Sequence, residues 1–276
     1  MQKRLALRRR RLAYAGVMGT IALKLTLTPI LILAASLASR RWGQAIGGWL
    51  VALPLTTGPV AFFLALEQGE RFAARAAEGA LAGAGAEACF ALAYGIAAGR
   101  SAAVALPAAS ASFAVAGMLL QVADLPVWAQ APLTAGCLAL ALWLMPRRAA
   151  RPVVPLRPPG WDLPARMAVA TSLVLALTTI APFLGAHLSG VLATFPIFGT
   201  VLAFFAHRQQ GPAAARQVLT GLCAGLYGFA SFFLVLGLTM ERLGIAPGFL
   251  AAGAATLAVH AVSWRVLWRR KPSGGA

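Results

Sequence analysis

The sequence predicts an all-α, polytopic membrane helix bundle, and three observations carry that prediction. First, 60% of the residues are apolar and only 11% are charged, against roughly 25% charged in soluble domains. Second, the apolar residues fall in runs long enough for bilayer-spanning helices, which need about 20 residues. Third, the 24 Lys and Arg, set against 7 Asp and Glu, cluster between those runs: Arg8 to Arg11, Arg40 with Arg41, Arg147 to Arg157, and Arg265 to Lys271. Basic loops that flank spans and meet anionic headgroups have this pattern. So few charges cannot cover a soluble domain of this length. A cytosolic enzyme, a disordered chain and a disulfide scaffold are thereby excluded. The net charge of +17 belongs to loops, not to the continuous basic face a nucleic acid requires. The expected partner is the lipid bilayer, with no nucleic acid.

Nine spans are expected, at about 13–39, 44–65, 72–98, 101–122, 127–145, 165–185, 188–206, 213–239 and 247–267. Arg40 and Arg41 close the first, Glu67 the second, and Arg71 precedes the third. Asp124-Leu125-Pro126 separates the fourth from the fifth. Runs of this length dominated by Ala and Leu are helical, because a helix satisfies its own backbone in lipid. The basic N-terminus does not read as a cleavable signal, since its apolar stretch runs far past the usual h-region. The Pro- and Arg-rich linker from Pro146 to Pro164 is the one domain boundary. It divides the chain into a first unit (1–122), an extra helix with the linker (123–164) and a second unit (165–276).

The two units are expected to be duplicates. At a shift of 142 residues, Gly48, Leu50 and Pro54 fall on Gly190, Leu192 and Pro196, and Ala61-Phe62-Phe63 on Ala203-Phe204-Phe205. Gln68-Gly69 falls on Gln210-Gly211, Ala73 on Ala215, Gly79, Ala82 and Gly83 on Gly221, Ala224 and Gly225, and Ala88 and Phe90 on Ala230 and Phe232. An unpaired fifth span between two four-helix units would invert the second unit, a hallmark of secondary transporters. The charges resist this count. With nine spans, an N-terminus inside leaves 9 Lys and Arg inside and 14 outside, Lys24 aside. The opposite orientation reverses those numbers, and eight or ten spans would satisfy both ends.

The second span of each unit carries helix breakers at its centre: Pro54, Thr56, Thr57, Gly58 and Pro59 in one, Pro196, Gly199 and Thr200 in the other. Proline removes an amide donor, and backbone groups freed inside a bilayer must find partners in protein or in a wet cavity. Two breaks at corresponding positions point to a midplane substrate site, with the threonine hydroxyls as its polar groups. The alternative is a pair of ordinary proline kinks. Glu87 is the sharpest single residue, an acid near the middle of the third span, where ionisation is expensive. It shares a helix face with Gly79 and Gly83, and the corresponding line is Gly221, Gly225 and Phe229. Glycines four apart allow close helix packing. A carboxylate there can couple transport to protons or pair with a cationic substrate; a structural carboxyl is the competing reading.

The remaining polar residues read more plainly. Lys24 and Arg166, again 142 apart, are expected to snorkel to the interface; the alternatives are that the two cations bind an anionic group and that Lys24, if deep in the membrane, takes Glu87 as its partner. Arg75 and Glu78 can pair at i, i+3. His187, His207 and His260 have no metal-ligand spacing and read as core or interface histidines. Cys89, Cys137 and Cys223 read as small buried hydrophobes. No nucleophile–base pair, metal constellation or nucleotide motif appears, so neither an enzyme nor a cofactor is expected.

The stretch from His187 through Leu188, Ser189, Gly190 and Val191 to Pro196, followed by Ala203 to Gly211, resembles the signature of small GlpM-like bacterial membrane proteins, short chains with a single copy of such a unit. The resemblance covers mainly residues 187–235, with Gly48 to Gly83 as its echo. In architecture, duplicated four- or five-helix units are similar to the drug/metabolite transporter superfamily, although the first-helix acid of its small members is absent here. Together these readings lead to a bacterial inner-membrane transporter or exporter of a small metabolite, with room for a homodimer. A non-transporting scaffold or accessory subunit of envelope biosynthesis is the alternative.

Overall fold

The computed structural model describes residues 25–146, 159–180, 183 and 192–269. Lys24, His187, the N-terminal basic cluster, the linker arginines Arg147 to Arg157 and the basic tail from Arg270 lie outside the described residues. The described chain is helical: α1 (25–42), α2 (Gln44–Val51), α3 (Thr57–Gln68), α4 (Glu70–Ala97), α5 (Ala102–Ala123), α6 (Val127–Leu144), α7 (Asp162–Ile180), α8 (Ile197–Gln210), α9 (Pro212–Leu243) and α10 (Ile245–Arg269). Six of these, α4, α5, α6, α7, α9 and α10, are long and apolar enough to cross a membrane. The chain is a multi-pass membrane protein.

Six is fewer than the nine expected spans, and the difference has a physical cause. The expected second span is interrupted at Pro54, which leaves α2 and α3 each shorter than a bilayer, and the expected seventh at Pro196, which leaves α8 shorter than a bilayer. The expected first span starts among residues that are not described. The other boundaries fall within a few residues of expectation. Pro107 and Pro132 lie inside α5 and α6 without breaking them.

Helix ends follow local chemistry. Gly69 (φ 89°) joins α3 to α4 and Gly211 (φ 88°) joins α8 to α9, a left-handed conformation that lets two helices meet at one residue. The Ser101 hydroxyl caps α5 by accepting from the Val104 amide at 3.3 Å. Ser101→Ala is expected to cost about 1 kcal/mol, read as a fall of a few degrees in Tm.

Helices α4 and α9 form the centre. Of their most apolar windows 67% is buried, against 11% to 28% in the other spanning helices. They run antiparallel. The Arg216 Nε near the start of α9 donates to the Gly95 carbonyl near the end of α4 at 2.8 Å. At the other end, a Cβ on Gly237 would lie 3.6 Å from the Ala77 Cβ. Helix α6 packs on both α4 and α9, with the Thr134 hydroxyl donating to the Leu81 carbonyl at 2.9 Å and the Tyr227 hydroxyl to the Ala135 carbonyl at 3.2 Å.

Small residues set the approach of α2 to α9. A Cβ on Gly48 would lie 1.9 Å from the Val218 carbonyl oxygen, and one on Gly221 would lie 1.8 Å from that of Ala45. The two backbones touch. Without a hydrophobic drive between helices in lipid, such contacts are what holds them together.

These directions sort the charges. Arg40, Arg41, Arg100, Arg166, Arg208 and Arg216 lie toward one end of the bundle with Asp162 as their acid. Glu67, Glu70, Arg71, Arg75, Glu78, Asp124, Glu241 and Arg242 lie toward the other. No ion pair joins Arg75 to Glu78. Exposed Trp42, Trp128, Trp143 and Trp161 sit near helix ends, as interfacial tryptophans do.

Candidate functional site at two broken helices

The first break runs from Ala52 to Thr56, between α2 and α3; the second centres on Phe195 and Pro196, just before α8. Proline cannot donate to the preceding turn, so each break is closed by other bonds, and the two sets correspond. The Leu53 amide donates to the Leu50 carbonyl at 3.2 Å, and the Phe195 amide to Leu192 at 3.1 Å. The Leu55 amide donates to the Leu53 carbonyl at 2.7 Å, and Ile197 to Phe195 at 2.8 Å. The Gly58 amide donates to the Pro54 carbonyl at 2.9 Å, and Thr200 to Pro196 at 2.8 Å.

Each break packs on a central helix. The second lies against α4: a Cβ on Gly83 would be 2.5 Å from the Thr194 Cβ, and Phe195 meets the Phe90 ring edge-on, centroids 5.8 Å apart. The first lies against α9: a Cβ on Gly225 would be 2.7 Å from the Ala52 Cβ, and one on Gly58 would be 3.6 Å from the Phe232 ring. Glu87 falls between Gly83 and Phe90 on the face of α4 that meets the second break. Phe229 holds the corresponding place on α9.

Glu87 is partly buried, and among the described residues its carboxylate has no hydrogen bond or ion pair. Lys24, a candidate partner from the sequence, lies outside the described residues. Among the described residues, the hydroxyls of Thr57 and Thr200 are buried without a hydrogen-bond partner. Thr56 joins Leu53, Leu55 and Phe198 in lining a pocket of about 80 Å³ between α1, α2 and α8. The structure therefore brings Thr56 and the neighbourhood of Pro196 together, and places Glu87 against the second break. It does not gather every expected residue. Pro59 is exposed in the first turn of α3, Gly58 is buried against α9, and Gly199 packs on the Leu222 side chain. Of the packing glycines, Gly83, Gly221 and Gly225 meet neighbours, whereas no described residue comes within 4 Å of a Cβ on Gly79.

Sequence reasoning missed a second polar cluster. Asp162 is fully buried at the start of α7. It accepts from Arg40 Nη2 at 2.7 Å and from Arg166 Nε at 3.0 Å, and also from the Gln209 side-chain amide. The Gln44 amide nitrogen donates to Gln210 Oε1 at 3.2 Å. Arg166 is 4% exposed and lies over the Phe205 ring, 5.1 Å from its centroid. The expectation that Arg166 snorkels to the interface is thus corrected, because a counter-ion one helical turn away holds it inside. The signal was present: Asp162 and Arg166 are i, i+4 with the acid N-terminal, the favourable order on a helix.

The histidines divide. The Tyr94 hydroxyl and His207 Nδ1 are 3.3 Å apart. His260 Nδ1 donates to the Thr256 carbonyl at 3.2 Å, and its ring packs on Trp49. Cys223 is buried, while Cys89 and Cys137 are half-buried; all three are free thiols. Among the described residues no His, Cys, Asp and Glu group is placed to hold a metal ion. Compared with known protein families, with curated proteins and with solved structures, the chain finds no match.

Proposed function

We propose that the chain is an inner-membrane secondary transporter or exporter of a small metabolite, in which two inverted units rock around the two broken helices. The observation that carries this reading is the pair of breaks. Their backbone hydrogen bonds correspond at the sequence shift of the duplication, and each lies on the central helix of the opposite unit. The contacts of Gly83 with Thr194 and of Gly225 with Ala52 are one contact with the units exchanged, which is what a two-fold relation produces. The antiparallel course of α4 and α9 supports an inverted repeat over a parallel one. In this reading α2 with α3 is one broken crossing, residues 192–194 with α8 another, and α1 a further one, which with the six long helices brings the crossings to nine. The basic end then faces the cytoplasm.

Glu87 is the coupling group in this scheme. An ionised carboxylate inside a span is costly, and with no cation beside it among the described residues the group takes up and releases protons or binds a cationic substrate. A thermal-shift screen of the purified protein against metabolite classes identifies the substrate. In proteoliposomes loaded with a pH dye, that substrate is expected to drive proton movement, and Glu87→Gln to reduce it by about tenfold or more. Full transport and proton coupling in the Glu87→Gln protein would sink the assignment.

One observation favours the scaffold reading instead. The pocket at the breaks is small, about 80 Å³, and Thr56 is its only polar lining residue among those described. A protein that binds nothing in the thermal-shift screen and moves nothing in liposomes would take that second reading.

A further inference from the structure

The chain has three cysteines, and they stand on three different helices: Cys89 on α4, Cys137 on α6 and Cys223 on α9. The fold brings two of them together. The Cys89 and Cys137 thiols are in side-chain hydrogen-bonding contact. Both are half-buried, whereas Cys223 is buried.

The contact follows from the way α6 lies on α4. The two helices run parallel. The Thr134 hydroxyl donates to the Leu81 carbonyl at 2.9 Å, a Cβ on Gly85 would lie 3.9 Å from the Thr134 Cα, and one on Gly95 would lie 3.4 Å from the Met145 Cε. At Gly85 the two α-carbons are thus within about 5.5 Å of each other, inside the span of about 4.4–6.8 Å that a disulfide bridges. Cys89 follows Gly85 by one turn of α4, and Cys137 follows Thr134 by one turn of α6. A third helix steadies each of these turns. The Ser112 hydroxyl of α5 donates to the Cys89 carbonyl at 3.4 Å, and the Tyr227 hydroxyl of α9 donates to the Ala135 carbonyl at 3.2 Å. A bond between the two sulfurs therefore needs little movement of the backbone. Both thiols lie about two turns, roughly 10–12 Å, from the basic ends of their helices. A small uncharged oxidant reaches that depth through the lipid.

We propose that Cys89 and Cys137 are a redox modification site, at which a peroxide joins them in a disulfide that staples α6 to α4. A thiolate on either sulfur accepts a hydrogen bond from the other thiol, and the thiolate is the form that attacks. It attacks one peroxide oxygen; the O–O bond breaks, the second oxygen leaves and takes up the proton as water, and a sulfenic acid remains. The other thiol attacks that sulfur; the S–O bond breaks, the S–S bond forms, and the leaving hydroxide departs as water with the second thiol's proton. Two electrons pass from the thiol pair to one peroxide, which becomes two waters. The bond ties the helix between the two units to the central helix of the first, and nothing in it depends on the transporter reading.

The test uses the full chain in phospholipid nanodiscs, treated with hydrogen peroxide, then denatured and alkylated with maleimide. All three cysteines are expected to alkylate before treatment and only Cys223 after it, and dithiothreitol is expected to restore all three. The treated protein should weigh about 2 Da less before alkylation, with Cys89 joined to Cys137 of the same chain in peptide maps. Cys223→Ala should form the same link. In Cys89→Ser and Cys137→Ser no link should form, and peroxide should consume thiols about tenfold more slowly than in the unaltered pair. The linked protein is expected to melt several degrees above its reduced form. Three alkylated cysteines after treatment, a link through Cys223, or links between chains alone would overturn the assignment. Equal thiol loss in the unaltered chain and in Cys137→Ser would do the same, and a linked protein that melts no higher would remove the staple.

Discussion

Gly221→Val is expected to leave no folded protein in detergent, whereas Gly136→Ala is expected to change nothing measurable. At Gly221 a Cβ would lie 1.8 Å from the Ala45 carbonyl oxygen, and at Gly48 the facing Cβ would lie 1.9 Å from the Val218 carbonyl oxygen. The obstacles are backbone atoms, not the ends of flexible side chains, so α2 and α9 must separate. Overpacking a well-filled core costs about 1–3 kcal/mol and sometimes more. Here the whole crossing opens and its van der Waals contact is lost, so about 3 kcal/mol is a lower bound. That is a large share of the roughly 5–15 kcal/mol that holds a folded protein together. Apart from its own helix backbone and chain neighbours, no described atom lies within 4 Å of a Cβ on exposed Gly136. Size-exclusion profiles and melting temperatures of the two variants, with Gly48→Val beside them, decide the matter. An unchanged melting temperature for Gly221→Val would mean that the helices do not cross as described.

Asp162→Ala is expected to cost about 3–5 kcal/mol, the usual result of stripping one partner from a buried ion pair. Arg166, 4% exposed, would be left charged against the Phe205 ring with one neutral neighbour, Gln209. Arg40 is 33% exposed and can turn to water, so little of the loss comes from it. The double variant Asp162→Ala, Arg166→Met removes both charges and is expected to recover most of the stability, because an apolar side chain of similar length can fill the site. Thermal melts of the two single variants and the double variant form the cycle. Losses that simply add would show that Asp162 and Arg166 do not depend on each other.

What could be read from the sequence was whatever is local. Pro54 and Pro196 announced the two breaks because a missing amide acts within its own turn. The spans of α4, α5, α6, α9 and α10 followed from apolar runs bounded by charges and turns. Thr57 and Thr200 were expected as polar groups of a substrate site at the breaks; their hydroxyls lie buried there with no partner among the described residues. What could not be read was pairing over distance. Asp162 was assigned to the linker and Arg166 to the interface, since their third partner, Arg40, is 122 positions away from Asp162. The glycines of α9 were read as a packing seam, but nothing local identified α2 as the helix that fills it. Glu87 was expected inside the bundle; its place opposite the second break follows from Gly83 and Phe90 meeting residues of the other unit.

The exchange of contacts between units also sets the order of events during synthesis. Gly83 is made well before Thr194, the residue that fills its notch. At roughly 5–20 residues per second the chain needs on the order of ten seconds to reach it. For that interval α4 waits in the bilayer with its seam uncovered and Glu87 facing no partner element, and the seam of α9 finds α2 already in place. Residues 25–146 therefore complete their packing only once residues 192–210 are made, and a chain cut in the linker is expected to be digested faster by added protease than the full chain.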